Sequence, residues 1–200
     1  MRLNAFLARA GVASRRRADE LIRAGRVSVN GRQGELHTVV GRHDVVEVGP
    51  GLGALTLELS AAGGRVLAVE LDRHLLPALA ETVAGCAVDV VNADAMDVDW
   101  PSTLAHGERW AMVANLPFNV ATPVVVRALE TAPMIDRFLV MVQREVGERL
   151  AAGAGDDAYG AVSVKVAYYA DAHVVGIVPP TVFVPRPNVE SALVRLVRRP

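Results

Sequence analysis

The chain has 200 residues, of which 52% are hydrophobic, and its formal net charge is −1. This length and composition allow one globular domain with a small appendage, and the sequence contains no apolar run long enough to cross a membrane. The single cysteine, Cys86, excludes an intramolecular disulfide and fits a reducing compartment. We therefore expect a cytoplasmic protein. The five histidines lack the spacing of metal ligands, so we expect no metal site.

The small net charge hides an uneven distribution along the chain. Residues 1–44 carry nine arginines and four acids, a net charge of +5, whereas residues 45–140 carry five basic and twelve acidic residues, a net charge of −7. A basic head on an acidic body predicts that the head meets a polyanion such as a nucleic acid. A solvated helical face is the alternative interpretation of the same charges.

The first residues predict two short helices, over 2–10 and 14–24, followed by a short strand. Ser14 is a suitable N-cap for the second helix. The next three residues are arginines, although the helix dipole disfavours cations in a first turn. Phosphate binding would explain why arginines occupy these positions. The strand, at 27–31, runs into an Asn30-Gly31 turn, and residues 32–43 are predicted to form a polar connection.

A glycine-rich stretch from Asp44 to Thr56 predicts the strand, turn and helix start of a nucleotide-binding α/β unit. Its glycines allow a tight turn and a close approach of the backbone to a ligand. The next predicted strand ends in Glu70, a position from which a carboxylate binds ribose hydroxyls. The alternative is an ordinary turn between a strand and a helix.

The rest of the chain alternates between strand and helix patterns, which favours a parallel α/β sheet. Helices are predicted at 54–62, 73–84, 122–130 and from about 144 to 152, and strands at 88–95, 110–114 and 138–143. The closing β-rich runs, at 163–169, 172–178 and 192–197, predict antiparallel strands at one edge of the sheet.

The stretch Asn115-Leu116-Pro117-Phe118 follows the fourth predicted strand, at the sheet edge where open α/β proteins bind ligands. The Asn115 carbonyl can accept a hydrogen bond from an exocyclic amino group, and proline leaves the Leu116 carbonyl outside regular structure. Phe118 offers a face on which a base can stack. The stretch therefore suits an extruded amino-bearing base, although a structural turn with a core phenylalanine is the alternative.

Residues 2–31, "RLNAFLARAGVASRRRADELIRAGRVSVNG", resemble the alpha-L RNA-binding motif of a small-subunit ribosomal protein and of many bacterial pseudouridine synthases. The resemblance implies that Arg15, Arg16, Arg17 and Arg26 face RNA phosphates. An inert remnant of a fusion is the alternative. We therefore predict an RNA-binding head over residues 1–40.

Residues 41–200 resemble the ribosomal RNA adenine N6-dimethyltransferases of the KsgA type, through "VVEVGPGLGALTLEL", "VLAVELD", "NADAMDVDW", "ANLPFNVATPVV" and "VPPTVFVPRPNVESALVRL" in matching order. The erythromycin-resistance methylases share part of this pattern. The resemblance implies a Rossmann-like class I methyltransferase sheet with S-adenosylmethionine as methyl donor. It departs at Phe118, where the family usually has tyrosine, and in the absence of the usual N-terminal "GQ.F" segment and C-terminal helical domain.

The resemblance also implies a set of site residues. Those expected to bind S-adenosylmethionine are Glu47, Gly49, Gly51, Gly53, Glu70, Asp94, Ala95 and Asn115. Those expected to hold and stack the target adenine are Asn115, Leu116, Pro117, Phe118 and Phe183.

By this resemblance the chain is a monomeric enzyme that methylates small-subunit ribosomal RNA, with the ribosomal subunit as partner. A catalytically weak RNA-binding or ribosome-assembly factor that keeps the fold is one alternative. Ribose-methylating enzymes with a similar head are another, but they use a lysine–aspartate–lysine–glutamate set. The body has only one lysine, Lys165, which counts against that reading.

Overall fold

A computed structural model describes residues 3–9, 12–29, 32–36, 44–62, 65–104 and 109–199. The chain forms two compact units, Met1–His43 and Asp44–Pro200, so the division falls three residues beyond the predicted one. No helix in the described ranges is long and apolar enough to cross a membrane. Among the same residues, no group of three or more histidine, cysteine and acidic side chains could hold a metal ion.

The first unit contains two helices and a two-stranded antiparallel hairpin. Helices α1 (Leu3–Arg9) and α2 (Arg15–Arg23) pack together, and strands β1 (Ser28–Val29) and β2 (Arg32–Gln33) pair. Ser14 caps α2 as predicted, since its hydroxyl accepts a hydrogen bond from the Arg17 amide at 3.3 Å. The predicted polar connection is wrong at its start, because Arg32 and Gln33 form β2 by pairing with β1. The predicted turn residues Asn30 and Gly31 lie outside the described residues.

The second unit is built on a seven-stranded sheet with the order β5-β4-β3-β6-β7-β9-β8. The strands are β3 (Asp44–Val48), β4 (Val66–Glu70), β5 (Val88–Asn92), β6 (Trp110–Asn115), β7 (Ile135–Gln143), β8 (Ala170–Val178) and β9 (Ser191–Arg198). Strands β3 to β7 are parallel, and β9 is antiparallel to both β7 and β8. The predicted α/β sheet with an antiparallel edge is confirmed. Asp44–Val48 belongs to this sheet, as predicted from the glycine-rich stretch that follows it.

Six α-helices accompany the sheet among the described residues of this unit: α3 (Ala54–Ala61), α4 (Leu76–Thr82), α5 (Trp100–Thr103), α6 (Ala121–Thr131), α7 (Arg144–Ala151) and α8 (Ala161–Tyr169). Helix α5 was not predicted, because its four residues are too few to show a helical period. The core joins one face of the central strands, including Phe138 of β7, to buried side chains of α5 and α6, such as Trp100 and Leu129.

The prediction of a strand over 163–169 is wrong, because these residues form helix α8. The valines and tyrosines of this segment favour strands intrinsically, but tertiary contacts override that preference. The Gly160 amide donates to the Ser163 hydroxyl at 3.1 Å, and that hydroxyl donates to the Arg149 carbonyl at 2.6 Å. These bonds begin the helix and attach it to α7, while Val166 packs into the core.

The guanidinium of Arg198, at the end of β9, caps the C-terminus of α6. It donates to the carbonyls of Leu129 and Ala132 at 2.9 and 3.1 Å, and to those of Ala128 and Ile135 at 3.3 and 3.0 Å. The last carbonyls of a helix lack partners within the helix, and a cation there also complements the helix dipole. Burial lowers the pKa of this guanidinium, but arginine stays charged in proteins.

Replacing Arg198 with methionine keeps the side-chain bulk but should destabilise the fold, because the four carbonyls lose the hydrogen bonds that the guanidinium donates. We expect a loss of about 1.5–3 kcal/mol in the free energy of unfolding, measured by denaturant titration. The matched control is Arg195→Met on the same strand, where the side chain is exposed. Equal effects of the two substitutions would contradict the capping role.

Candidate active site

The glycine turn lies at the carboxyl end of β3 and leads directly into α3. Gly49, Gly51 and Gly53 have φ angles of 71°, 58° and 90°, in the left-handed region that other residues rarely adopt. A Cβ atom at Gly53 would also lie 3.0 Å from Leu79 Cδ1 and 3.1 Å from Thr82 Cγ2, so these side chains of α4 leave little room for a side chain at residue 53. The turn thus exposes backbone at the start of a helix, where anionic and polar ligands bind.

Glu70, the last residue of β4, holds this turn in place. One carboxylate oxygen accepts a hydrogen bond from the Gly51 amide at 3.0 Å, and the other accepts one from the Asp72 amide at 2.8 Å. The side chain is only 6% exposed. Each carboxylate oxygen can accept more than one hydrogen bond, so the fixed group can still receive the hydroxyls of a ribose.

The residues after β5 continue the same edge. The Asn92 side-chain amide donates to the carbonyls of Glu70 and Leu71 at 2.7 and 3.1 Å, and the Ala93 amide donates to the Glu70 carbonyl at 3.1 Å. Asp94 follows, and its carboxylate accepts a hydrogen bond from the Met96 amide at 2.8 Å. The ends of β3, β4 and β5 therefore form one connected edge, with Asp94 and Ala95 at its far side.

Glu47 lies beneath this edge, on β3, and is 2% exposed. Its Oε2 atom and the hydroxyl of buried Thr56 form no hydrogen bond of good geometry with a residue that the structure describes. Burial raises the pKa of the Glu47 carboxyl, and the nearby Thr56 hydroxyl opposes that shift. A buried acceptor without a partner is costly, so the position fits a site completed by a positively charged ligand group.

A cleft of about 340 Å³ opens beside the carboxyl end of β6. It brings together all five residues expected to hold the base: Asn115, Leu116, Pro117, Phe118 and Phe183. Asn115 and Pro117 are exposed, Leu116 is buried, and Phe118 is 38% exposed, as a stacking platform requires. The Leu116 amide donates to the Met141 carbonyl at 3.1 Å, whereas no described residue donates to the Leu116 carbonyl.

The cleft also contains three residues that were not predicted as site residues: Pro185, Pro187 and Ser191. They belong to the segment that carries Phe183, and the signal for them lay in the resemblance over "FVPRPNVES". This segment connects β8 to β9 and returns the chain to the edge where β6 ends. Of the lining residues, six are apolar, and the polar side chains are those of Asn115 and Ser191.

The glycine turn and the cleft are neighbours. A Cβ atom at Gly49 would lie 3.8 Å from Pro117 Cδ, so the turn that follows β3 touches the turn that follows β6. In parallel α/β sheets, the carboxyl ends of adjacent strands share one edge and form the ligand-binding crevice. The predicted cofactor residues and the predicted base residues thus meet at Gly49 and Pro117.

In the first unit, Arg15, Arg16, Arg17 and Arg26 are exposed. Arg17 forms an exposed ion pair with Glu20 at 2.6 Å, a contact of small energetic value that a phosphate could displace. The first turn of α2 contains no acidic residue to offset its three arginines.

Comparison with protein families gives two matches along the chain. A model described as ribosomal RNA adenine dimethylase matches residues 35–200, and a model of the S4 domain matches residues 1–46. A curated relative, ribosomal RNA small subunit methyltransferase A of Bacillus mycoides strain KBAB4, is 42% identical over 170 residues, which are 82% of this chain. The match spans 58% of that relative's length, and the same figures hold for the relative from Bacillus cereus strain AH187.

Solved structures give the same fold. The 23S rRNA methyltransferase ErmE superposes with a TM-score of 0.69 at 26% identity, covering 94% of this chain and 69% of that one. A dimethyladenosine transferase from Plasmodium falciparum has a TM-score of 0.69 at 23% identity, covering 90% and 60% of the two chains. The sheet is therefore a Rossmann-like class I methyltransferase sheet. From the family match over most of its length, the chain belongs to the ribosomal RNA adenine dimethylase family.

Proposed function

We propose that this chain transfers methyl groups from S-adenosylmethionine to the N6 amino groups of adenines in small-subunit ribosomal RNA. The observation that carries the proposal is the cleft lined by Asn115, Leu116, Phe118 and Phe183, beside a glycine turn. We further propose that it acts in the cytoplasm as a monomer and without a metal ion. The family membership and the names of its curated relatives support this proposal.

The residues at the glycine turn fit S-adenosylmethionine, which would supply a methyl group on a positively charged sulfur. Glu70 is oriented by two backbone amides and would bind the ribose hydroxyls. Asp94 and Ala95 would contact the adenine at the far side of the edge. Gly49, Gly51 and Gly53 would lie against the amino-acid part, and the buried Glu47 carboxylate would be stabilised by its ammonium group.

In the cleft, the chain's own groups would position the target base. The side-chain oxygen of Asn115 and the carbonyl of Leu116 can accept the two protons of an exocyclic amino group. These hydrogen bonds favour a pyramidal nitrogen whose lone pair is free to attack, and Pro117 fixes the turn that presents them. Phe118 and Phe183 would stack on the base, so that positioning supplies most of the acceleration.

We propose that the first unit is an RNA-binding head and that the second unit is the methyltransferase domain. The S4 match and the exposed Arg15, Arg16, Arg17 and Arg26 support the RNA-binding role of the head. Arginines in the first turn of a helix suit phosphates, which fix position without reading sequence.

The first test concerns the cofactor and uses calorimetry with S-adenosylmethionine. Glu70→Ala should weaken binding by about 1–3 kcal/mol, because ribose hydroxyls lose their acceptor and the Gly51 amide loses its anchor. The matched control is Glu81→Ala, an exposed glutamate on α4. Wild-type affinity in Glu70→Ala would refute the assignment, and a wild-type chain that does not bind would refute the proposed cofactor.

The second test concerns the target base. Asn115→Ala should abolish most methyl transfer to unmethylated small ribosomal subunits while cofactor affinity stays within several-fold of wild type. The control is Asn119→Ala, which changes an exposed asparagine of the same turn outside the cleft. Phe118→Ala should lose stacking of about 1–3 kcal/mol, and Phe118→Tyr should be tolerated. Normal turnover in Asn115→Ala would show that the assigned role is wrong.

The third test concerns the head. Replacing Arg15, Arg16 and Arg17 with glutamine should weaken binding to different structured RNAs by similar factors, and reduce the salt dependence by up to about two to three units of slope. The control replaces Arg109, Arg137 and Arg199 with glutamine. These arginines are exposed in the second unit, at the end of the sheet opposite the glycine turn. An unchanged slope in the head variant would identify these arginines as a solvated face.

A further inference from the structure

Ser191, the first residue of β9, contributes a hydroxyl to the wall of the base cleft. The residue is 1% exposed and lines that cleft. Its hydroxyl forms no hydrogen bond with any residue in the described ranges, whereas the hydroxyl of buried Ser163 both accepts and donates one. The Ser191 hydroxyl is not one of the fully buried, unpartnered polar atoms of these residues, so it opens onto the cleft, where a bound group can be its partner.

The sheet register places Ser191 on the same face as Asn115. Asn115 pairs with Met141, and Met141 pairs with Leu193, so these three side chains share one face. Ser191 precedes Leu193 by two residues on β9 and therefore shares that face. The residue between them, Ala192, points to the other face, since a Cβ atom at Gly147 of α7 would lie 2.8 Å from its Cβ.

The separation of these two polar side chains suits a purine. Strand β7 lies between β6 and β9, and Ser191 lies two residues along β9 from the position in register with Asn115. At the usual strand spacing and rise, the Cα atoms of Asn115 and Ser191 are therefore about 12 Å apart. The space between them is bounded by Phe118, Phe183 and prolines. A base stacked there, with its amino group at Asn115, would turn a ring edge towards Ser191.

We propose that the Ser191 hydroxyl donates a hydrogen bond to a ring nitrogen of the target adenine, N1 or N7, and so helps to select and position the base. The inference rests on the proposed function, because it takes an adenine as the occupant of the cleft. Adenine carries an acceptor nitrogen on each side of its amino group. In the proposed arrangement the Asn115 side-chain oxygen and the Leu116 carbonyl both accept protons of the amino group. The Ser191 hydroxyl would supply a donor to a ring nitrogen from the other side of the cleft.

The test measures methyl transfer under single-turnover conditions, with RNA assembled to carry adenosine, 1-deazaadenosine or 7-deazaadenosine at the methylated position. Ser191→Ala should reduce transfer to adenosine RNA by about 3- to 10-fold, the value of one hydrogen bond to an uncharged group. Cofactor affinity and thermal stability should stay at the wild-type values. Ser60→Ala, a serine on α3 outside the cleft, is the matched control and should transfer normally.

The deaza substrates separate a hydrogen bond from packing. The difference between wild type and Ser191→Ala should disappear with the analogue that lacks the bonded nitrogen and persist with the other analogue. A wild-type rate for Ser191→Ala on adenosine RNA, or a loss that persists with both analogues, would overturn the inference while leaving the proposed function intact. A wild-type chain that transfers no methyl group would instead overturn the proposed function, and the inference with it.

Discussion

The site depends on one carboxylate that joins two turns. Glu70 ends β4 and accepts amide hydrogen bonds from Gly51 in one loop and from Asp72 in the next. Three left-handed glycines leave the backbone of the first loop free to adopt many conformations, and this contact selects one of them. Asn92 adds a second restraint by holding the carbonyls of Glu70 and Leu71. The ligand-binding edge is thus ordered by the chain's own hydrogen bonds.

Because side chains alternate along each strand, the two faces of the sheet have different roles. One face carries the core that contains Trp100, Phe138 and Leu129. The other face carries Asn115 at the carboxyl end of β6 and Ser191 at the start of β9. Because β9 is antiparallel, its beginning lies at the same edge as the end of β6. The antiparallel strand therefore brings a C-terminal segment, with Phe183, to a cleft begun by the parallel strands.

The sequence predicted the features that rest on local chemistry. The glycine turn, the acid that ends β4 and the Asn-Leu-Pro-Phe turn each carry a short pattern with a physical reason, and the structure brings the latter four residues together with Phe183. The failures have a different cause. Residues 163–169 have strand-forming side chains, and only contacts with α7 and the Ser163 hydrogen bonds make them helical. For Ser191 the resemblance over its segment was a signal, but its place in the cleft could not be predicted, because that place depends on register across three strands.

The burial of Glu47 at the site lowers the stability of the fold when the carboxyl group is charged. Its carboxyl group has a raised pKa because burial penalises the charge, so this group's contribution to stability falls as the pH rises above its ordinary pKa of 4.5. A cationic ligand would reverse that penalty.

The most direct measurement of the central claim is transfer of labelled methyl groups from S-adenosylmethionine to unmethylated small ribosomal subunits, with nucleoside analysis of the product. The account predicts label in N6-methylated adenosine; label confined to ribose or to another base, or binding without transfer, would contradict it.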